Sequence, residues 1–244
     1  MDSPTQWQLP ATHPALAPGQ VHLWRLSLLV GPEQIAASRS LLGPDELAKA
    51  ERFHFPRDQR RYTLARGALR RLLAAYLSRP AGDIRFVYNP QGKPALPTAE
   101  LSFNLSHSGE IALFAFGRQG RVGVDIERHR PLDDLHALAE SLFSQRELAD
   151  LHSLPQAQQQ TAFYDCWTRK EAFVKAIGDG LTYPLAQFDV SLLPGEAAAL
   201  LRVKEEAQPA NRWQMAAFAP ASGFSGAIVV EGQGQELSFW GCAG

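Results

Sequence analysis

Apolar residues recur along the chain at two spacings, one typical of amphipathic helices and the other of strands. Helices are predicted where apolar residues recur every three or four positions, over the segments 44–52, 56–77, 132–143, 144–152 and 159–177. Strands are predicted where apolar and polar residues alternate, in the runs VHLWRLSLL, IRFVYN, LSFNLSHSG, EIALFAFG, RVGVDIER, FDVSLL, ALLRVK, RWQMAAF and GAIVVE. About the first 20 residues, rich in Pro, Ala and Gln, are predicted to form an irregular lead-in.

Each half of the chain reads as helices followed by a set of strands, without a strict sequence repeat. We therefore expect an α+β protein of two similar halves, related by a pseudo-two-fold, each packing antiparallel strands on helices. The Gly-rich segment FGRQGR is the natural joint, so the N-terminal half is predicted at 1–119 and the C-terminal half at 120–244. An active site that draws on both halves would lie at their interface.

The composition is that of a soluble globular protein without a general basic surface. The 244 residues are 45% hydrophobic and 20% charged, and the formal net charge is −1, which disfavours broad nucleic-acid binding. Between Arg52 and Arg71, however, seven arginines accompany the single acid Asp58. Because the guanidinium fork pairs with phosphate, this segment is the predicted anion-binding patch, and nucleic-acid binding through it is the weaker alternative.

Cysteine usage and hydropathy predict a cytoplasmic protein. The two cysteines, Cys166 and Cys242, form no CxxC motif, which excludes a disulfide scaffold and a cysteine-rich zinc site. The N-terminal segment has no signal-peptide pattern, and no apolar run reaches the ~18 residues of a membrane helix. We therefore expect no membrane partner.

Two acidic residues lie on the same face of the predicted strand GVDIE. Alternation sends Asp125 and Glu127 to one face, and Val124 and Ile126 to the other. Two carboxylates at this spacing, roughly 7 Å between Cα atoms, can converge on one cation, and oxygen ligands of this kind suit Mg²⁺ or Mn²⁺. A cation site and a solvated polar face with two acids are both compatible with the pattern.

The predicted helix AFYDCWTRKEAFVKAIG carries a core stripe with a line of other side chains beside it. Trp167, Glu171 and Lys175 follow i, i+4, i+8 spacing, next to the stripe that contains Lys170. One interpretation gives Glu171 to a metal, and Lys170 and Lys175 to phosphates. The alternative is an exposed Glu171–Lys175 ion pair, which contributes only about 0.3–0.5 kcal/mol.

A histidine flanked by hydroxyl groups lies at the corner between two predicted strands, in the run NLSHS. Small hydroxyls around His107 suit a phosphate or a nucleotide, and an ordinary surface histidine is the alternative. No acid at neighbouring positions orients His107 as in a hydrolytic triad. Lys93 lies in the turn NPQGKP, where a lysine is commonly just solvated.

The order of these motifs resembles a known family. NPQGKP, LSFNLSHS, GVDIE and FYDCWTRKEAFVKAIGDGL together resemble the 4′-phosphopantetheinyl transferases, in particular the monomeric Sfp-type enzymes with two halves. The resemblance spans about residues 40–190. Its most specific part is the pairing of G-V-D-I-E with W-T-x-K-E-A-x-x-K.

The resemblance implies a role for each matching residue. It implies that Mg²⁺, or alternatively Mn²⁺, is bound by Asp125, Glu127 and Glu171. It implies that coenzyme A is bound by Arg61, Arg66, Lys93, Ser106, His107 and Lys175, with the two arginines at the nucleotide 3′-phosphate. Glu147 lies where the family often has a further acid near the metal, and Glu46 stands where some relatives carry a base.

The resemblance also implies the reaction. The 4′-phosphopantetheine arm of coenzyme A would pass to a serine of an apo acyl or peptidyl carrier protein of fatty-acid or natural-product synthesis, with Mg²⁺ and release of 3′,5′-ADP. The candidate catalytic residues are Glu171, Lys175 and Glu147: Lys175 would neutralise phosphate charge, and Glu171 or a metal-held water would be the base, with Glu147 as alternative. We expect a monomer, with carrier docking near Arg118 and Arg121 at the joint.

Two rival functions stay open at this point. A metal-dependent coenzyme A hydrolase or acyltransferase would need an oxyanion-binding element and a base aimed at a thioester, and neither is visible in the sequence. A non-catalytic module that binds carriers or senses coenzyme A would tolerate loss of Asp125, Glu127 or Glu171, whereas all three are present.

Overall fold

The computed structural model describes residues 5–180, 183–204 and 209–242. The helices in these ranges are α1 (Pro32–Arg39), α2 (Pro44–Glu51), α3 (Pro56–Leu77), α4 (Leu135–Leu142), α5 (Gln145–Ser153) and α6 (Gln156–Ile177). The strands are β1 (Gln20–Ser27), β2 (Val87–Tyr88), β3 (Pro94–Ala95), β4 (Ser102–Ser108), β5 (Ile111–Gly117), β6 (Val122–Arg128), β7 (Phe188–Val190), β8 (Leu200–Val203), β9 (Trp213–Phe218), β10 (Phe224–Glu231) and β11 (Glu236–Gly241). The first four residues of the predicted lead-in and Leu181, which ends the last motif, lie outside the described residues.

The two halves of the chain share one order of elements. Among the described residues, each half runs through a strand, three helices, a short antiparallel pair and two longer strands. Neighbouring strands in the first sheet are β1, β5 and β4, and those in the second sheet are β6, β10 and β9, in the corresponding order. The predicted α+β class with two similar halves is therefore confirmed.

The larger sheets pack face to face, and a helix covers the outer face of each. The layer between the sheets is formed by the inward side chains of both, for example Val21 and Leu113 from the first and Val124 and Ile228 from the second. Side chains of α3 pack on the opposite face of the first sheet, and those of α6 on the opposite face of the second. Strand alternation thus gives every central strand two buried faces.

One strand pair departs from the predicted antiparallel arrangement. β11 was not among the predicted strands, and it pairs with β1 in parallel. The end of the C-terminal half therefore completes the sheet of the N-terminal half, and the division at 119/120 follows chain order but not sheet membership.

Other differences from the predicted elements have local causes. α1 escaped prediction because its short sequence, PEQIAASR, buries only Ser38 and has no apolar stripe. The predicted strand IRFVYN is reduced to β2, because Arg70 Nη1 donates to the Ile84 carbonyl that a ladder would have used. α6 starts at Gln156, directly after Pro155, and not at 159.

In the described part of the chain, no helix combines the length and the apolar character needed to cross a membrane.

Candidate active site

Gly123 allows helix α6 to lie directly against strand β6. A Cβ at this position would come within 2.1 Å of the Ala172 carbonyl oxygen and 2.3 Å of the Ala176 amide nitrogen. Gly123 is on the same face of β6 as Asp125 and Glu127, so the contact brings the helix over both carboxylates. The α6 side chains that reach this face are Glu171 and Lys175. The fold therefore brings the GVDIE strand and the KEAFVK helix segment into contact.

Lys175 and Ser106 bind the first of these carboxylates. Lys175 Nζ donates to Asp125 Oδ1 at 2.6 Å, and the Ser106 hydroxyl donates to the same oxygen at 2.8 Å. Lys175 Nζ also donates to the Ser106 hydroxyl at 2.8 Å. Asp125 is only 3% exposed, so this ion pair is shielded from solvent on the carboxylate side.

Among the residues that the structure describes, two buried carboxylate oxygens of the site have no hydrogen-bond donor. They are Asp125 Oδ2 and Glu171 Oε1. An anionic oxygen that loses water without gaining a donor or a cation is costly, typically by several kcal/mol. The two oxygens therefore favour a site that takes a positively charged ligand.

The pKa values of the acids reflect the same crowding. Burial raises the pKa of Glu171, Lys175 lowers it, and the charges of Asp125 and Glu127 raise it further. Burial also raises the pKa of Glu127, against the Ser108 hydrogen bond, and Asp125 adds to the rise. The three carboxylates thus share one electrostatic site.

Three polar side chains of β4 bridge to β6, although the backbones of these strands are not paired. The Asn104 side-chain oxygen accepts from the Val124 amide at 2.9 Å, Ser106 donates to Asp125, and Ser108 donates to Glu127 Oε2 at 2.8 Å. Since β4 belongs to the first sheet and β6 to the second, these bonds join the two halves at the carboxylates. Asn104 and Ser108 were not predicted as site residues, although their alternate polar positions in NLSHS signal such a face.

The acids near β6 offer a set of oxygen ligands that suits a hard divalent cation. Among the described residues, no three His, Cys, Asp or Glu side chains form a ready-made metal site. The acids nevertheless offer only carboxylate oxygens, two of them buried without a donor, and such ligands match Mg²⁺ or Mn²⁺. The Lys175 ammonium supplies a positive charge at Asp125.

A cavity of about 290 Å³ opens beside the carboxylates. Its basic wall residues are Lys49, Arg66, Lys93, His107 and Lys175, from α2, α3, the β2–β3 turn, β4 and α6. None of the described residues that line it is acidic. A cavity with this charge is suited to a ligand that carries several phosphates.

Comparison with known proteins identifies the family. A family model described as "4'-phosphopantetheinyl transferase superfamily" matches residues 121–224, and one described as "4'-phosphopantetheinyl transferase, N-terminal" matches residues 31–118. The 4′-phosphopantetheinyl transferase HetI of Nostoc sp. is 40% identical over 225 residues, which cover 91% of this chain and 92% of HetI. The chain belongs to the 4′-phosphopantetheinyl transferase superfamily.

Other relatives agree with this family. The 4′-phosphopantetheinyl transferase Sfp of Bacillus subtilis is 34% identical over 154 residues, covering 63% of this chain and 67% of Sfp. A protein of Synechocystis sp. described as a putative 4′-phosphopantetheinyl transferase is 34% identical over 209 residues, covering 84% of this chain and 80% of that protein. The predicted Sfp-type family is confirmed, and the protein is an enzyme of the transferase class.

Within this transferase, two of the predicted phosphate ligands lie in different surroundings. Lys93 Nζ donates to the Val122 carbonyl at 3.3 Å and to the carbonyls of Lys175 and Ala176 at the end of α6. Burial, together with the charge of Arg121, lowers the pKa of Lys93 to about 8. His107 is exposed at the cavity, but the surrounding protein partly desolvates its ring, and this desolvation, with the charges of Lys175 and Arg61, lowers its pKa.

Four of the seven arginines in the predicted anion-binding patch pair with Glu110 or Glu46, and the other three, Arg52, Arg57 and Arg71, are exposed. Arg60 and Arg61 both pair with Glu110, the latter at 2.6 Å. Arg66 and Arg70 both pair with the buried Glu46. Of these four, only Arg66 lines the cavity. Arg61 does not line the cavity, but it is close enough to His107 for its charge to lower the pKa of that histidine.

Glu147 and Lys170 form a separate, closed ion pair in the C-terminal core. Both side chains are fully buried, and Lys170 Nζ donates to both Glu147 oxygens at 2.6 Å and to the Phe188 carbonyl. Glu147 also accepts from the amides of Ser144 and Val190. The interpretation of Lys170 as a phosphate ligand is wrong because its ammonium has no access to the cavity, and Glu147 has its hydrogen bonds in this core and not with the acids of β6.

The two arginines at the joint are also engaged. Arg118 Nε donates to the Leu16 carbonyl at 2.7 Å, and Arg121 pairs with Glu231 at 2.8 Å. Each arginine therefore links the Gly-rich segment FGRQGR to another part of the chain.

Proposed function

We propose that this transferase moves the 4′-phosphopantetheine arm of coenzyme A to a serine hydroxyl of an apo acyl or peptidyl carrier protein, with a divalent metal and with release of 3′,5′-ADP. The observation that carries the proposal is the carboxylate site of β6 and α6, which adjoins a basic cavity without acidic lining residues. Coenzyme A combines a pyrophosphate with a separate phosphate monoester, so it needs several cations along one cavity. The names of the relatives support the same substrates.

The metal ligands in this proposal are Asp125, Glu127 and Glu171. The two carboxylate oxygens without donors and the raised pKa values of Glu127 and Glu171 support it. A bound Mg²⁺, or Mn²⁺, supplies Lewis-acid neutralisation of the pyrophosphate charge. Ser106 and Ser108 orient the two acids of β6 for that task.

The cavity residues bind the phosphates of coenzyme A. Lys175, which donates to Asp125 and lines the cavity, would bind a phosphate oxygen, and His107 and Lys93 would approach from β4 and the β2–β3 turn. Arg66 binds the 3′-phosphate at the α3 side, and Arg61 contributes charge from behind it. The positions of these cations before substrate arrives favour charge stabilisation in the transition state.

Glu171 is the proposed general base. The serine oxygen forms a bond to the phosphorus nearer the pantetheine, the bond from that phosphorus to the bridging oxygen breaks, and 3′,5′-ADP leaves with the electron pair. Glu171 is assigned to accept the serine proton because α6 brings its carboxylate to the two acids of β6, beside the cavity. Glu147 has no role in this scheme, since its oxygens are already bound in the core.

The two halves contribute unequally to the site. We assign the coenzyme A contacts of α3 and β4 to the N-terminal half, 1–119, and the acids to the C-terminal half, 120–244. The meeting of the two family-model matches between 118 and 121 supports this boundary. Because one chain contributes every part of the site, we propose a functional monomer. A cytoplasmic location stays a prediction.

Metal chelation tests the proposal. Purified protein, coenzyme A and an apo carrier are incubated with Mg²⁺ or with excess chelator, and 3′,5′-ADP is measured by chromatography. We expect ADP release only with the metal, and its loss in Asp125→Asn but not in Asp133→Asn, an exposed acid just beyond β6. Equal release in chelator would rule out the metal-dependent mechanism.

A further inference from the structure

Glu46 is a buried acid next to a cavity whose proposed ligand is an anion. It lies in the first turn of α2, one turn before the cavity residue Lys49, and its side chain is fully buried. A buried carboxylate is stable only when it is paired and hydrogen-bonded. The partners of Glu46 therefore indicate what the acid does at this place.

The carboxylate of Glu46 connects α2 to two successive turns of α3. Its Oε1 accepts from Arg66 Nε, and its Oε2 accepts from Arg70 Nε at 2.6 Å and from the Gly43 amide at 2.7 Å. One negative and two positive charges leave a net charge of +1. Arg70 uses its remaining contacts on the carbonyls of Ala81 and Ile84, so it is committed to the core.

Arg66 has the opposite arrangement, because one part of its guanidinium is left for a ligand. Nη2 donates to the Tyr88 hydroxyl at 2.6 Å, and the guanidinium lies over the Phe86 ring at 4.2 Å. Among the described residues, Nη1 has no hydrogen-bond partner, and the side chain lines the cavity. Glu46 and Tyr88 thus hold the guanidinium through Nε and Nη2. The third nitrogen, Nη1, is left for a ligand in the cavity.

We propose that Glu46 is a positioning residue that fixes Arg66 for the 3′-phosphate of coenzyme A. The inference rests on the proposed function and deepens it. An arginine held in one rotamer loses less conformational freedom when it binds phosphate, so a fixed Arg66 binds more tightly than a free one. The negative charge does not oppose the ligand, since Arg66 and Arg70 both neutralise it.

The Glu46→Gln variant tests this role with two substrates that differ only in whether they carry the 3′-phosphate. Coenzyme A and 3′-dephospho-coenzyme A are compared for KM and kcat with the same apo carrier. We expect KM for coenzyme A to rise about tenfold, the size expected when a charged hydrogen bond is weakened. KM for 3′-dephospho-coenzyme A and kcat for both should stay close to the wild-type values, so the preference for coenzyme A decreases.

A matched control separates positioning from loss of stability. Asp189→Asn also removes a buried acid from an ion pair, with Arg202 at 2.7 Å, but in the C-terminal half. It should leave the preference between the two substrates unchanged. If Glu46→Gln does not fold, Glu46→Asp, which keeps the charge but shortens the reach to Arg66, replaces it with the same expected loss of preference.

Two results would overturn the inference. An equal change in KM for both substrates would mean that Glu46 only supports the fold, and an unchanged KM for coenzyme A would mean that Arg66 needs no support. Neither result touches the proposed function, which fails only if the wild-type protein does not modify the carrier with either substrate.

Discussion

At the scale of single residues, Glu171 is a buried carboxylate in an electrostatically unfavourable position, and it is also the proposed general base. It is 8% exposed, one of its oxygens has no donor in the described part of the chain, and two further carboxylates lie nearby. Burial raises its pKa more than Lys175 lowers it, so the folded state holds the Glu171 proton more tightly than the unfolded state does. This contribution to stability is therefore present below the ordinary pKa of a glutamate, about 4.3, and is lost as pH rises through the raised folded-state pKa.

Glu171→Gln should therefore separate stability from activity. Turnover should fall by about 100-fold or more, the usual contribution of a general base. The metal-free variant should melt at the same temperature as the wild type or higher at pH 7, and this difference should shrink at pH 4. Carrier modification and thermal melts measure the two effects. Near-normal turnover with metal bound would remove Glu171 from the mechanism.

We expect Lys93 to make nucleotide binding depend on pH. Its pKa is lowered to about 8, so the unliganded enzyme loses this positive charge as pH rises through that value. The Kd of 3′,5′-ADP, measured by calorimetry in the presence of Mg²⁺, should rise by up to about tenfold between pH 7 and pH 9, because binding weakens as Lys93 loses its charge. Lys93→Arg keeps its charge over this range and should flatten the dependence. The same slope in both proteins would show that Lys93 does not contact the nucleotide phosphates.

At the scale of elements, the approach of α6 to β6 brings the third carboxylate to the other two. The approach depends on Gly123, whose missing side chain leaves room for the helix backbone. Gly123→Ala should force the two elements apart and lower the free energy of unfolding by about 1–3 kcal/mol or more, with loss of activity.

Urea unfolding and carrier modification measure the consequences of Gly123→Ala. Gly82→Ala is the control, because a Cβ there would meet nothing within 4 Å. An active and fully stable Gly123→Ala protein would mean that the close contact is not needed for the site.

The sequence predicted those parts of the site that depend on local periodicity. Strand alternation was enough to bring Asp125 and Glu127 to one face, and the limits of α3 were predicted at 56–77 as observed. Glu171 needed the family resemblance, because no local pattern shows that α6 packs on β6. The pairing of Glu46 with Arg66, 20 residues later, is likewise a tertiary contact, and without it the arginines read as one open patch.

At the scale of the whole molecule, the candidate active site lies where two similar halves meet. The first sheet contributes the hydroxyls of β4, the second contributes the acids of β6, and Asn104 joins the two through the Val124 amide. The parallel strand β11 adds a second connection, since it belongs to the C-terminal segment but pairs with β1. That pairing joins distant parts of the chain, and the short run ELSFWG gave no sign of it.

The central claim is that this chain transfers phosphopantetheine at the carboxylates shared by β6 and α6. The most direct measurement is the intact mass of several apo carrier proteins after incubation with the protein, coenzyme A and Mg²⁺. The account predicts that at least one carrier gains the mass of a single phosphopantetheine arm with the wild-type protein, and that Glu171→Gln leaves that carrier unmodified over the same time. An unchanged mass for every carrier with the wild-type protein, or equal modification by Glu171→Gln, would contradict it.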